Sequence, residues 1–163
     1  MDAAHKRWWP ISEVVFGLPF LLGVALQLAA PLAFPAGWLT LIVRLGGLPL
    51  VAVGLAFIVS ARREFGQRAQ PTDPGHPTTA VVTTGAFAFS RNPIYLGATC
   101  LLLGIALAAN WPWAAALIVP AVVACHYVLI VPEEQYLAAK FGDAYLSYVA
   151  CVHRWLGCAR RQE

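Results

Sequence analysis

The sequence predicts an all-α fold: a polytopic integral membrane helical bundle of about four transmembrane helices. Three observations predict it. Hydrophobic residues make up 60% of the 163 positions and charged residues only 12%, where an average globular chain carries roughly 45–50% and 25%. The apolar residues are gathered into four runs, Ile11 to Ala30, Leu39 to Ser60, Leu96 to Ala109 and Trp113 to Val131. Of the 11 Lys and Arg, Arg44 alone lies inside a run. A soluble domain of this length cannot hide so much apolar surface, whereas a bilayer covers it with lipid.

The elements follow in order. Lys6 and Arg7 precede the first run, and Trp8 and Trp9 suit an interfacial aromatic belt. Pro31, Pro35 and Gly37 make a short uncharged turn into a second helix that begins near Trp38. Arg44 lies one turn and a half inside that helix. It can snorkel to the surface, which is its structural reading, or serve a function. Gly46, Gly47, Pro49 and Gly54 mark a helix that is close-packed or kinked. Arg62 to Gln67 reads as an exposed helix end, Gln70 to Pro77 as loop, and Thr78 to Thr84 as extended, β-branched chain. Asn92 suits the N-cap of a third helix and Pro93 its first position. Its apolar stretch is short for a perpendicular span. Asn110-Trp111-Pro112 is a tight turn, so the third and fourth helices form an antiparallel C-terminal hairpin. The fourth continues past Pro132 to Phe141, where Gly142 stops it. Asp143 caps a last helix whose Tyr145, Tyr148, Val149, Val152 and Trp155 form one apolar face against the membrane surface or the hairpin.

Charge placement sets the topology. Arg62, Arg63, Arg68 and Arg91 lie between the second and third runs, and Lys140, Arg154, Arg160 and Arg161 follow the fourth. The other two connections carry no basic residue. Four spans therefore put every basic segment, and both termini, on the cytoplasmic face of a bacterial inner membrane. The net charge of +3 reflects that topology. It implies membrane lipids as partners and no nucleic acid, since no basic patch interleaves with exposed aromatics. The first run is long, and no small-x-small cleavage site follows it, so it reads as a span and not as a cleavable signal. Residues 1–163 read as one membrane domain, with two helices in 1–60 and the chemistry-bearing half in 61–163. Cys151, His153 and Cys158 match no standard zinc spacing, and no metal site is expected.

The polar residues that stand out converge at one level. Arg91, Asn92 and Tyr95 lie where the third helix begins, and Glu133 and Glu134 where the fourth leaves the bilayer. The hairpin makes these groups neighbours, with Tyr145, Tyr148 and Arg154 close behind. A helix N-terminus reinforced by Arg91 suits a ligand carboxylate. Two carboxylates opposite suit an ammonium group or ribose hydroxyls. S-adenosyl-L-methionine carries all of these. The bland reading is that the glutamates mark a helix end and that Arg91 enforces topology.

The motifs carry a resemblance. Arg91-Asn92-Pro93-Ile94-Tyr95-Leu96-Gly97 resembles the Arg-His-Pro-x-Tyr-x-Gly motif of the isoprenylcysteine carboxyl methyltransferase family and its bacterial relatives. Glu133-Glu134-x-x-Leu137-x-x-x-Phe141-Gly142-x-x-Tyr145-x-x-Tyr148 is similar to that family's second signature. Val81 to Phe87 resembles its Leu-Val-Thr-x-Gly-x-Tyr stretch. The three motifs cover Thr78 to Leu156. The resemblance implies methyl transfer from S-adenosyl-L-methionine to a lipid-like acceptor, with the methyl donor in a cytoplasmic pocket. Carried over, the contacts to it are Thr79, Ala80, Val81, Val82 (taken as a strand), Phe87, Asn92, Pro93, Ile94, Tyr95 and Glu133. The catalytic set is Arg91, Tyr95, Glu134 and Arg154.

Three departures bear on the acceptor. Asn92 replaces the usual His and can still cap the helix. Leu129 stands where the eukaryotic prenylcysteine enzymes carry an Arg linked to substrate. Cys151 replaces a frequent Arg, although Val152-x-Arg154 keeps the common ending. A carboxylate or thiolate acceptor needs no general base; an amine or hydroxyl does, and His126 is either such a base or an ordinary core histidine. Two alternatives stay open: an NADPH-dependent membrane reductase acting on a sterol- or isoprenoid-like substrate, and a non-enzymatic membrane scaffold.

Overall fold

The computed structural model describes residues 11–68 and 79–157. The readings of Lys6 to Pro10, of Gln70 to Thr78, and of Cys158, Arg160 and Arg161 lie outside them. The described chain is helical. Its elements are α1 (Ile11–Ala29), α2 (Trp38–Gln67), a 3-10 turn (Gly85–Ala88), α3 (Pro93–Ala108), α4 (Pro112–Ala124), a π-helical segment (Cys125–Ile130), α5 (Val131–Phe141) and α6 (Asp143–Cys151). From α4 to α5 the helix is continuous over Pro112–Phe141.

Two helices, Trp38–Gln67 and Pro112–Phe141, are each 30 residues and apolar enough to cross a membrane. Only 11% of the most apolar window of α2 is buried inside the protein. Leu41, Ile42, Leu45, Leu48, Val53 and Leu55 all face outward. Such a helix is not the core helix of a soluble protein, because water would meet its apolar side chains along most of its length. α1, and α3 with 16 residues, are shorter. At 1.5 Å per residue α3 reaches about 24 Å, less than a bilayer's hydrocarbon thickness.

α2 and α3 pack antiparallel along a glycine seam. A β-carbon at Gly54 would stand 2.6 Å from the Gly97 carbonyl oxygen, and one at Gly47 2.5 Å from that of Gly104. Seven residues separate the glycines on each helix, so both pairs fall on one face, and the backbones meet directly. Gly46, also expected to mark close packing, has nothing near it. α1 lies against α4, where Gly23 abuts Ala114. Asn110 turns the α3–α4 hairpin with φ 60°, a conformation Asn tolerates better than most residues. Its side-chain oxygen also accepts the Phe34 N–H at 3.0 Å, which ties the α1–α2 connection to the hairpin tip.

Two buried clusters form at the other end. One gathers Ala61 of α2, Val82, Ala86, Phe87, Tyr145, Tyr148 and Val152. The other joins Phe16 of α1 to Ala121, Cys125, Leu129 and Ile130. Ile94 packs on the first and Tyr95 on the second, so the first turn of α3 straddles them.

Two local readings are corrected. Thr79 to Val82 is not a strand: the described part of the segment is irregular chain with no sheet partner, and it leads into the 3-10 turn. Helix four is not uniformly α-helical. Pro132 has no N–H to give Val128, and its ring crowds that carbonyl; the wider π turn just before it relieves the crowding.

Candidate functional site

The site grows from the segment between the 3-10 turn and α3. Ser90 is fully buried, and its hydroxyl oxygen accepts the Asn92 N–H at 3.0 Å. This serine turn sets the angle at which the chain enters α3. Asn92 is the N-cap residue, as expected, and Pro93 the first of the helix, but the Asn92 side chain makes no capping bond. Instead its amide donates to the Arg154 carbonyl at 3.1 Å. The helix end is left for other partners.

The C-terminal segment Val152–Gly157 crosses this entrance. Arg91 N–H donates to the His153 carbonyl at 3.1 Å, and Gly157 N–H to the Phe89 carbonyl at 2.9 Å. The Ser90 hydroxyl reaches the Arg154 carbonyl at 3.4 Å. Gly157 makes the bend with φ 113°, where a side chain would be strained. Trp155 packs on the second buried cluster. The segment thus straps the start of α3 to the rest of the bundle.

The charged groups close the site. Arg154 grips Glu134 with a forked contact, Nη2 to Oε2 at 2.6 Å and Nε to Oε1 at 3.0 Å. Arg91 Nη1 reaches the other side of the same carboxylate at 3.1 Å. Side-chain exposure is 14% for Glu134 and 11% for Arg91, so the pairing is made largely out of water. The Arg91 Nε is buried with no hydrogen-bond partner among the described residues. Glu133, the neighbouring carboxylate, has among the described residues one hydrogen-bond partner, the Tyr95 hydroxyl, which donates to its Oε2 at 3.4 Å. The two adjacent glutamates therefore differ: Glu134 is neutralised by two arginines, while Glu133 keeps most of its acceptor capacity.

Two tyrosines of α6 back the cluster. The Tyr148 hydroxyl donates to the Phe87 carbonyl at 2.7 Å. Burial pushes its phenol above the ordinary range, with Tyr145 adding and Arg91 opposing. Burial also raises Tyr145; Glu134 adds to that, and Arg91, which hydrogen-bonds it, pulls the other way. Both phenols remain neutral at physiological pH; Tyr148 donates, while the Tyr145 oxygen accepts from Arg91. The Arg154 guanidinium is held above its ordinary value by the Glu134 hydrogen bonds.

Of the expected site residues, the structure brings Arg91, Asn92, Tyr95, Glu133, Glu134 and Arg154 together at one end of the hairpin. It spends others elsewhere. Val82 and Phe87 are core side chains, Phe87 stacking on Phe65 with centroids 5.0 Å apart. Pro93 is fully buried and Ile94 half-buried against the first cluster. Thr79 and Ala80 are exposed, and Val81 is half-buried. Leu129 is 2% exposed in the second cluster, so no cation stands at that position. His126 lies edge-on to Tyr127, centroids 4.8 Å apart. Sequence reasoning missed Ser90, whose spacing two residues before Asn92 is a serine-turn signal. It also missed the π segment.

A family model described as phospholipid methyltransferase matches residues 42–144. The chain belongs to that family. It is the same integral membrane methyltransferase family as the isoprenylcysteine carboxyl methyltransferases, the resemblance that the motifs carried. No curated protein and no solved structure matches the chain. Membership makes this a membrane methyltransferase of a lipid-modifying family. The match takes in nearly all of α2, which the motifs had not reached, and ends at residue 144. The strap and Arg154 lie beyond it.

Proposed function

We propose that this protein transfers a methyl group from S-adenosyl-L-methionine to a lipid-like acceptor that enters from the bilayer. The observation that carries the reading is the pairing of an unspent donor with an unspent acceptor. Among the described residues the Arg91 Nε is buried with no hydrogen-bond partner, and Glu133, next in sequence to the Glu134 that Arg91 pairs with, holds one long bond. A group that carries both a carboxylate and an ammonium fits that pair, as does a ribose at Glu133. Bound there, S-adenosyl-L-methionine supplies an activated methyl on a sulfonium. The chain's own task is to orient and to exclude water. Arg91 would hold the carboxylate, Glu133 the ammonium or hydroxyls, and Tyr95 would fix Glu133 through its hydroxyl. Thr79, Ala80 and Val81 would line the outer wall, with Val82, Phe87, Asn92, Pro93 and Ile94 forming its floor through backbone and apolar surface.

The geometry supports a change in two assignments. Glu134 and Arg154 are engaged with each other and with Arg91, so they hold the site's shape as positioning residues. The reading also takes residues 1–163 as one membrane domain with four spans, α1 and α3 crossing beside the two longer helices. Both termini and the site then lie on the cytoplasmic face of a bacterial inner membrane.

Calorimetry of the detergent-solubilised protein tests the reading. S-adenosylhomocysteine should bind and NADPH should not. Binding of NADPH alone would move the protein to the reductase class, and binding of neither to the scaffold class.

A further inference from the structure

Arg44 stands apart from the chemistry. It lies on α2, six residues after Trp38, so its Cα is about 9 Å inside the helix start at the far end from the Arg91–Glu134 cluster. Its neighbours on that surface, Leu41, Ile42, Leu45 and Leu48, are all exposed and apolar. Side chains on a helix lean toward its N-terminus, which carries the guanidinium back toward the level of Trp38. The structure records where it arrives: Nε donates to the carbonyl of Ala108, the last residue of α3, at 3.1 Å. The negative end of the α3 dipole favours a cation there. That contact uses one of five N–H donors. The four on the two Nη atoms have no acceptor among the described residues, and no described carboxylate pairs with Arg44. The side chain is exposed on a helix long and apolar enough to cross a membrane. A cation left unpaired on such a surface is costly.

We propose that the Nη face of Arg44 is a binding site for the phosphodiester of a phospholipid headgroup. Three features select that ligand. The guanidinium fork matches two phosphate oxygens. Its Nε bond to Ala108 fixes the fork's orientation. The apolar surface of Leu41, Leu45 and Leu48 runs away from it along α2, where acyl chains would lie. An exposed Trp38 at the same end fits the interfacial level at which phosphates sit. The inference is independent of methyl transfer and of which face of the membrane this end occupies.

The test uses the full-length protein in a phosphate-free detergent buffer, with its melting temperature followed as ligand is added. The ligands are short-chain phosphatidylglycerol, the matching diacylglycerol and inorganic phosphate. Phosphatidylglycerol should raise the melting temperature saturably by linkage, and the other two should not. Arg44→Gln should abolish the shift. Arg44→Lys keeps a charge near Ala108 but loses the fork, and the half-saturating lipid concentration should rise about tenfold. A lower starting temperature in Arg44→Gln measures the lost contact to α3, and the shift above that baseline measures the lipid. An undiminished shift in Arg44→Gln, or unchanged half-saturation in Arg44→Lys if the glutamine variant does not fold, overturns the site. Equal shifts from diacylglycerol overturn phosphate recognition, and equal shifts from inorganic phosphate overturn a lipid ligand.

Discussion

Glu134 and Arg154 form a forked ion pair, 2.6 Å at its shortest, that ties the C-terminal strap to α5, and Arg91 joins it from the segment leading into α3 at 3.1 Å. One carboxylate thus holds three segments that are distant in sequence. Glu134→Ala would leave two arginines facing each other with no counter-ion. The cost should be about 2 kcal/mol, below the full value for a buried pair because Arg154 is partly exposed. Thermal unfolding in detergent should show a melting temperature several degrees lower. Glu134→Gln keeps the shape and should lose less. An unshifted Glu134→Ala would mean that the strap is held by its backbone bonds alone.

Glu133 should behave in the opposite way. It makes one long bond, so Glu133→Ala should change the basal melting temperature little. The same substitution should abolish the rise that S-adenosylhomocysteine produces in the parent protein, because a partner for its ammonium or hydroxyls is gone. If the variant were stabilised as strongly as the parent, the methyl donor would have to lie elsewhere.

The contrast between adjacent glutamates was not legible in the sequence. Both follow Pro132 in one acidic pair, and only tertiary placement shows that two arginines converge on the second. What was legible had local causes. Asn92-Pro93 announced the start of α3, Gly142 the end of α5, and the apolar runs the helices. The strand read into Thr79 to Val82 rested on β-branched composition. That composition describes a half-buried surface rather than a backbone preference, and no described neighbour offers an edge to pair with. The strap was invisible because its bonds to Phe89–Asn92 all use main-chain groups of Val152–Gly157, which every residue carries.

The glycine seam offers a prediction about the scaffold. Gly54 approaches Gly97 so closely that any side chain must push α2 from α3. Gly54→Val should destabilise by about 1–3 kcal/mol or more, as overpacking does. Gly46→Val, on the same helix with nothing within 4 Å, should be nearly neutral. Melting temperatures of the two variants, measured side by side, check this; equal losses would mean that helix propensity and not the seam sets the effect.

Topology follows from the charges. Every basic connection falls on one side if α1, α2, α3 and the Pro112–Phe141 helix all cross. A reporter fused after Glu163 should therefore be active in the cytoplasm and silent in the periplasm. The reverse pattern would overturn this topology: either the four-span bundle is inverted, or the number of spans is odd, with α3, the shortest of the four helices, not crossing.

The acceptor is the last question, and Leu129 bears on it. Prenylcysteine enzymes of the family place a substrate-linked Arg at this position. Here the side chain is apolar and 2% exposed, packed with Phe16, Cys125 and Ile130. An apolar side chain offers a carboxylate no counter-charge. Of the arginines at the site, Arg154 is engaged by Glu134, and Arg91, also paired with Glu134, has its Nε left, which the proposed reading assigns to the methyl donor. A buried carboxylate without a fixed cation is unfavourable. The protein is therefore expected to prefer a lipid-like acceptor other than a farnesylated cysteine carboxylate, reaching the site from lipid between the hairpin and the first two helices. Purified protein should be assayed with labelled S-adenosyl-L-methionine against N-acetyl-farnesylcysteine and a panel of phospholipid, isoprenoid and fatty-acid acceptors. Methylation should be strongest on a member of the panel. Turnover of the farnesylcysteine above every other acceptor would show that the carboxylate finds its counter-ion without an arginine at position 129.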